Sequence, residues 1–260
     1  IIWHIAISRL TPKLGLLKLN FNKTPTMASY GIVAFAYITA LACSLAMLGY
    51  ARWADARLYL AVTGAMWALG VLDDIFGSRE VGGFKGHFKK LIFERKLTTG
   101  AVKAIGGGII GILAGRVISG GDPAKWVAAA MLIPLVANLL NLLDLRPGRA
   151  VAVFFFGLGV TYIVACGNLV APWIVGAFAA VAVGFWFVDS RGRAMMGDSG
   201  SNALGAAMGM TMALSAGLVF QFVAIAVIIG VHLYSEKHSL TALIERNPVL
   251  RWVDRRLGVR

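Results

Sequence analysis

The chain has 260 residues, of which 58% are hydrophobic and 14% charged, and its formal net charge is +13. Because soluble domains carry roughly 25% charged residues, this composition excludes an ordinary globular domain and predicts an all-α integral membrane protein. The two cysteines lie within apolar runs, which excludes a disulfide framework and a cysteine metal site. Since residue 1 is Ile rather than Met, we expect either a segment that precedes it or a truncated first helix.

Long apolar runs follow one another along the chain. They lie at about 30–50, 57–75, 99–118, 126–145, 149–166, 169–189, 200–217 and 218–235. A membrane helix needs about 20 apolar residues, so we predict a polytopic helical bundle of about eight or nine spans. We expect a single membrane-embedded domain over 1–260, in which 1–27 form a partial first span or a surface segment.

Lysine and arginine are unevenly distributed over the connecting segments. If the N-terminal segment, the loops at 73–103, 146–149 and 191–193 and the C-terminal tail share one side, that side holds 21 of the 25 basic residues. The positive-inside rule then places this side in the cytosol. We expect a multi-pass protein of the cell membrane, typically the bacterial cytoplasmic membrane, whose basic face meets anionic lipids.

Two further expectations follow from this charge pattern. The basic residues are split over five segments with no binding fold between them, so we expect no nucleic-acid binding. Apolar residues alternate with Arg and Glu over 236–260, which predicts a cytosolic amphipathic tail on the membrane surface, broken near Pro248.

Three polar clusters interrupt the apolar runs near the predicted cytosolic side. They are the pair Asp73 and Asp74, the series Asn138, Asn141 and Asp144, and the stretch from Met196 to Asn202 that contains Asp198. The series recurs every three residues, so its members fall within one helical stripe about 120° wide. Ionisable residues within spans usually face a bundle interior or a wet cavity and are functional.

These clusters have the chemistry of a cation and phosphate site. Mg²⁺ binds through one or two carboxylates together with substrate phosphates and water. Asp198 stands where a helix begins, and backbone N–H groups at a helix start can take a phosphate oxygen. A membrane enzyme with such a site is expected to act on a lipid phosphate or a lipid alcohol.

The clusters together resemble the polyprenyl-phosphate N-acetylhexosamine-1-phosphate transferases, the superfamily that includes phospho-N-acetylmuramoyl-pentapeptide transferase. Four motifs match in order over about residues 20–235: Lys23-Thr-Pro-Thr-Met27, Asp73-Asp74, Asn138-x-x-Asn141-x-x-Asp144 and Gly197-Asp-Ser-Gly-Ser201. The resemblance implies transfer of a sugar 1-phosphate from a UDP-sugar to polyprenyl phosphate, with release of UMP. It implies Mg²⁺ as cofactor, with Mn²⁺ as the alternative, and leaves a homodimer open.

The resemblance and the charge pattern together suggest roles for individual residues. Asp198 is the first candidate for the metal and Asp74 the second, while Asp73 would orient or deprotonate the lipid phosphate. Further candidates that would contact the nucleotide-sugar, the diphosphate or the metal's water are Asn138, Asn141, Asp144, Lys23, His87, Lys89, Lys90 and His238.

The chain departs from the family where the nucleotide base is recognised. Pro147 stands in place of an aspartate that helps recognise uracil, and Met195 in place of an aromatic residue that stacks on the base in some members. The histidine cluster of the late loop is reduced to His232 and His238. We therefore expect weak selection among bases, with the phosphate chemistry retained.

Three alternatives stay open. A non-catalytic relative would bind polyprenyl phosphate or act as a scaffold. A CDP-alcohol phosphotransferase is suggested by Asp144-Leu-Arg-Pro-Gly-Arg-Ala150, although no Asp lies between Val151 and Ile163. A transporter would use the polar stripe as a pathway, but the two halves of the chain show no repeat.

Overall fold

The computed structural model describes residues 30–77 and 98–258, together with two short strands before them. These strands, β1 (Leu17–Leu19) and β2 (Pro25–Met27), pair antiparallel with Leu17 opposite Met27. An isolated strand pair leaves edge N–H and C=O groups that hydrocarbon cannot satisfy. The pairing therefore favours the surface-segment interpretation over a membrane span for these two strands.

Eight helices coincide with the eight predicted apolar runs. They are α1 (Gly31–Met47), α2 (Trp53–Phe76), α3 (Thr99–Ile118), α4 (Pro123–Leu143), α5 (Arg149–Val164), α6 (Pro172–Asp189), α7 (Gly197–Ser215) and α8 (Leu218–Ser235). Five of them, α2, α3, α4, α6 and α8, are long and apolar enough to cross a membrane, and α1 and α5 are shorter apolar helices. The architecture is that of a helical membrane protein, while the number of spans stays a prediction.

Helix α7 lies at the centre of the bundle. Every residue from Ser199 to Ala213 is buried, and the helix packs chiefly against α2 and α4. Small residues permit this closeness, because a Cβ on Gly205 would lie 2.5 Å from Cα of Ala137. Its neighbours shield α7, so it can be less apolar than the helices around it.

Helix α4 contains a proline that loosens its hydrogen bonding. Pro134 has no N–H to donate to the carbonyl of Ala130 one turn earlier. The backbone of α3 comes close at that level, since a Cβ on Gly111 would lie 2.4 Å from the Ala130 oxygen. Glycine at this position therefore lets α3 and α4 pack tightly where the proline interrupts the helix.

The tail forms two short helices, α9 (Leu240–Arg246) and α10 (Pro248–Leu257). Asn247 separates them and caps α10 through its side-chain oxygen, which confirms the predicted break near Pro248. Beyond the amphipathic tail that the sequence predicts, α10 is also tied to the bundle. The Arg149 guanidinium donates two hydrogen bonds to Asp254, at 2.6 and 2.9 Å.

Candidate functional site

The start of α7 is held by one carboxylate from α2 and another from the residue that follows α4. Asp74, near the end of α2, is buried, and its two oxygens accept hydrogen bonds at 3.0 Å from the backbone N–H groups of Asp198 and Ser199. Asp144 accepts at 3.1 Å from the N–H of Gly197. Negative charge at a helix N-terminus is favourable because it opposes the helix dipole.

This arrangement corrects one expectation. The sequence suggested that backbone N–H groups at the start of α7 take a phosphate oxygen, but those of Gly197, Asp198 and Ser199 already bind carboxylates. Phosphate would then have to be bound by side chains or by a cation.

The side chain of Asp198 collects partners from further helices. Its Oδ2 accepts a hydrogen bond from Nδ2 of Asn141 on α4 at 3.0 Å and another from the ammonium group of Lys103 on α3. The same ammonium group lies 3.4 Å from Oδ2 of Asp73 on α2. One lysine therefore bridges two carboxylates that are 125 residues apart, and both are only partly exposed, at 21% and 24%.

Asp144 lies just outside a helix. Helix α4 ends at Leu143 and Asp144 is its C-cap residue, whereas the sequence placed it inside the span. Pro147 follows three residues later and cannot continue a helix without losing a hydrogen bond. Burial, and then the negative charges of Asp189, Asp198 and Asp74, raise the pKa of Asp144 well above its ordinary value, although the hydrogen bond from Gly197 lowers it.

Two glycines allow the other helices to approach the start of α7. A Cβ on Gly70 of α2 would lie 2.3 Å from the carbonyl oxygen of Asp198, and one on Gly31 of α1 would lie 2.1 Å from the N of Gly200. Gly197 itself has a φ of +70°, a left-handed conformation that favours glycine. The close approach of α2 is what brings Asp73 and Asp74 to Asp198.

The donor chemistry of this group suits a hard cation. Asp73 and Asp198 supply carboxylate oxygens of the kind that Mg²⁺ and Mn²⁺ prefer, and Asn141 donates its amide N–H to Asp198. The Lys103 ammonium between Asp73 and Asp198 marks where these oxygens stabilise positive charge. No group of three or more His, Cys, Asp or Glu with the spacing of a metal site is formed by the described residues.

Asp74 is less available for a metal than the sequence suggested. Both of its oxygens accept backbone N–H groups, although a carboxylate oxygen has a second lone pair for a further ligand. Its predicted metal role stays a prediction beside its observed role in holding α7.

The other predicted site residues either lie apart from this group or are not among the residues that the structure describes. Asn138 is half-buried on α4 and forms no hydrogen bond with the described residues, unlike Asn141. His238 is exposed in the turn after α8, where its ring lies 4.8 Å from that of Tyr234. The predictions for Lys23, His87, Lys89 and Lys90 fall outside the described residues.

A small cleft adjoins Asp144. It is formed by the loop after α4 and the loop between α6 and α7, and its lining includes Pro147, Asp189 and Met195. The two departures from the family pattern, Pro147 and Met195, therefore face one cleft together with Asp144. This geometry joins residues that are about 50 positions apart in the chain.

Sequence reasoning missed Lys103 and Asp189. Lys103 was counted among the basic loop residues, yet it lies in the first turns of an apolar helix, and an ionisable residue there is itself a signal of function. Asp189 is buried at the end of α6 and accepts a hydrogen bond from the N–H of Gly148 at 2.6 Å. In the sequence, Asp189 could have been identified as a candidate because it lies between an apolar run and a basic loop.

No family model matches this chain, and no curated protein matches it significantly.

Proposed function

We propose that this protein is a Mg²⁺-dependent transferase that moves a sugar 1-phosphate from a nucleotide-sugar to polyprenyl phosphate. The observation that carries the proposal is that Asp73 and Asp198 share the Lys103 ammonium group, while Asn141 donates to the Asp198 carboxylate at the start of α7. Asp73, Asp198 and Asn141 come from three different helices and belong to three of the four motifs that resemble the family. A UDP-linked N-acetylhexosamine is the expected donor.

Charge supports a phosphate substrate at this position. Lys103 supplies a cation among the carboxylates, and a lysine ammonium is a compact point charge suited to phosphate. Mg²⁺ or Mn²⁺, held by Asp198 with Asp73 or Asp74, would add the positive charge that a diphosphate needs during phosphoryl transfer. Asn141 would hold the Asp198 carboxylate in position.

The reaction needs little covalent chemistry from the protein. An oxygen of the lipid phosphate attacks the phosphorus attached to the sugar, and the bond from that phosphorus to the bridging oxygen of the nucleotide breaks. The nucleoside monophosphate leaves with the electron pair of that bond. Asp73 is expected to orient the attacking phosphate, which is already largely ionised near neutral pH because its second pKa is about 6.

Access from the bilayer fits a lipid substrate. The end of α2 that carries Asp73 also exposes the side chains of Leu72, Ile75 and Phe76, the last by 68%. An apolar chain lying along this surface would bring its phosphate to Asp73 without leaving the membrane. The active site would then lie at the cytosolic end of the bundle, as the charge distribution predicts.

The direct test is the mass of the lipid product. Purified full-length protein is incubated with undecaprenyl phosphate, Mg²⁺ and a mixture of nucleotide-sugars, and the lipid fraction is analysed by mass spectrometry. A lipid diphosphate that carries one sugar, with an equal amount of nucleoside monophosphate, is the expected result. Saturable binding of polyprenyl phosphate with no product from any donor would instead indicate a non-catalytic relative.

A further inference from the structure

Helix α10 has an apolar face that no described part of the chain covers. Val249 and Trp252 are exposed by 69% and 59%, and Leu250 and Val253 by 43% and 40%. At about 100° per residue these four side chains fall within an arc about 160° wide. Single exposed apolar residues are ordinary on a protein surface, but four on one side of a helix indicate contact with a membrane or a macromolecule.

Basic side chains accompany this apolar face. Arg251 and Arg255 project from the opposite side of α10, and the Arg256 guanidinium lies 4.3 Å from the ring centroid of Trp252. None of these three arginines forms an ion pair within the described residues. The acidic residue of the helix, Asp254, is buried against Arg149. The outward surface of α10 is therefore apolar and positive.

The position of α10 is fixed relative to the bundle. Arg149, which binds Asp254, is the first residue of α5. The indole N–H of Trp186, in the last turn of α6, donates to the carbonyl oxygen of Leu257 at 3.0 Å. The helix thus lies across the start of α5 and the end of α6, two apolar helices.

We propose that α10 lies on a membrane surface containing anionic lipid. The face formed by Val249, Leu250, Trp252 and Val253 enters the boundary between headgroups and acyl chains. Arg256, which lies beside Trp252 on this face, binds lipid phosphate, since a long basic side chain keeps its charge at the headgroup level while its stem covers apolar surface. Arg251 and Arg255 on the opposite side stay in water. This inference does not depend on the proposed transferase activity.

The apolar face and the positive charge of α10 together favour lipid over a protein partner. The apolar face belongs to a helix held at the ends of apolar bundle helices, so the bilayer is the nearest apolar phase. The positive charge matches the negative surface potential of an anionic leaflet, which attracts basic residues close to the membrane. A second copy of the chain would present the same positive helix and would repel it.

The experiment measures the depth of single nitroxide labels on α10 in the full-length protein. A background with Cys43→Ala and Cys166→Ala carries either Val249→Cys or, as matched control on the opposite side of the same helix, Arg251→Cys. The protein is reconstituted in nanodiscs of phosphatidylcholine with or without phosphatidylglycerol. Collision with oxygen, which concentrates in lipid, is compared with collision with a water-soluble nickel chelate.

With anionic lipid, the label at Val249 should collide mainly with oxygen and the label at Arg251 mainly with the nickel chelate. Replacing Arg256 with Gln should weaken the equilibrium constant for insertion of the apolar face by about fivefold, which lowers the ratio of oxygen to nickel collisions at Val249. Omission of phosphatidylglycerol should lower the same ratio. Equal exposure of both labels to nickel would overturn the proposal. So would a Val249 label protected from both reagents with a short label-to-label distance, since a second copy would then cover the face.

Discussion

Asp198 joins four helices in one hydrogen-bonded group. Its backbone N–H binds Asp74 of α2, and its carboxylate binds Lys103 of α3 and Asn141 of α4, while it lies itself in the first turn of α7. Asp198 thus contacts residues from other motifs, to which the sequence analysis gave separate expected roles.

Asp198→Asn should abolish Mg²⁺-dependent turnover while the protein stays folded. The amide keeps the size of the side chain but removes the negative charge that a metal or Lys103 requires, and loss of a ligand or of its supporting partner commonly costs 10–100-fold. Turnover of the purified variant at saturating Mg²⁺ is the measurement. Asp122→Asn is the matched control, because Asp122 caps α4 at its other end and Asn caps equally well. Retention of more than about a tenth of the activity in Asp198→Asn would argue against the ligand role.

Base selection should be weak, because Pro147 and Met195 line the cleft beside Asp144. Pro147 has neither a carboxylate nor an N–H to bond a base, and a site without such a bond discriminates by roughly 10–200-fold. Inhibition of turnover by UDP, CDP and GDP measures the selectivity directly. Inhibition by UDP alone, with the others weaker by about 1,000-fold or more, would show that other residues read the base.

At the scale of the elements, α2 approaches α7 only because residue 70 is glycine. A methyl group there would overlap the carbonyl of Asp198, since its Cβ would lie 2.3 Å from that oxygen. Gly70→Ala should therefore lower the free energy of unfolding by about 1–3 kcal/mol and also reduce activity, because Asp73 moves relative to Asp198.

Gly108→Ala is the matched control for that substitution. A Cβ on Gly108 would meet no atom within 4 Å, so helix propensity should make the change neutral or stabilising by up to about 1 kcal/mol. Thermal unfolding in detergent, followed by circular dichroism, compares the two variants. Equal midpoints would mean that α2 and α7 can separate at no cost.

The pair of Arg149 and Asp254 fastens the tail to the bundle. The two side chains are only 5% and 9% exposed, and Arg149 also donates to Thr241 at 2.9 Å. Asp254→Ala should cost about 3–5 kcal/mol, because it leaves a guanidinium buried without its carboxylate. Arg149→Met combined with Asp254→Leu should be far less costly, since no charge then stays buried. The same thermal unfolding measurement tests this difference, and equal losses in the two variants would contradict it.

At the scale of the whole molecule, the distribution of basic residues predicts which end of the bundle faces the cytosol. The natural Cys166 is exposed in the loop after α5, at the end opposite the carboxylate group. An impermeant thiol reagent should label it in intact cells. Ser239→Cys, in a background with Cys43→Ala and Cys166→Ala, should be labelled only after the cells are made permeable, because Ser239 lies at the start of the basic tail. The reverse pattern would invert the topology.

The positions of the helices could be predicted from the sequence alone. Hydropathy is a local property of about 20 consecutive residues, so the eight apolar runs coincide with eight helices to within a few residues. Asp73, Asn141, Asp144 and Asp198 could be singled out in the same way, because a polar residue in an apolar run is conspicuous without any knowledge of its neighbours.

Which charged residues pair with each other was decided only by the tertiary structure. Lys103 meets Asp198 across 95 residues, and Arg149 meets Asp254 across 105, so no local pattern could pair them. Glycines at Gly31 and Gly70 set how closely the helices approach α7, and that approach determines which charges meet. A charged residue in an apolar helix is visible in the sequence, and its burial requires a polar or charged partner. Which residue becomes that partner depends on how the surrounding helices pack.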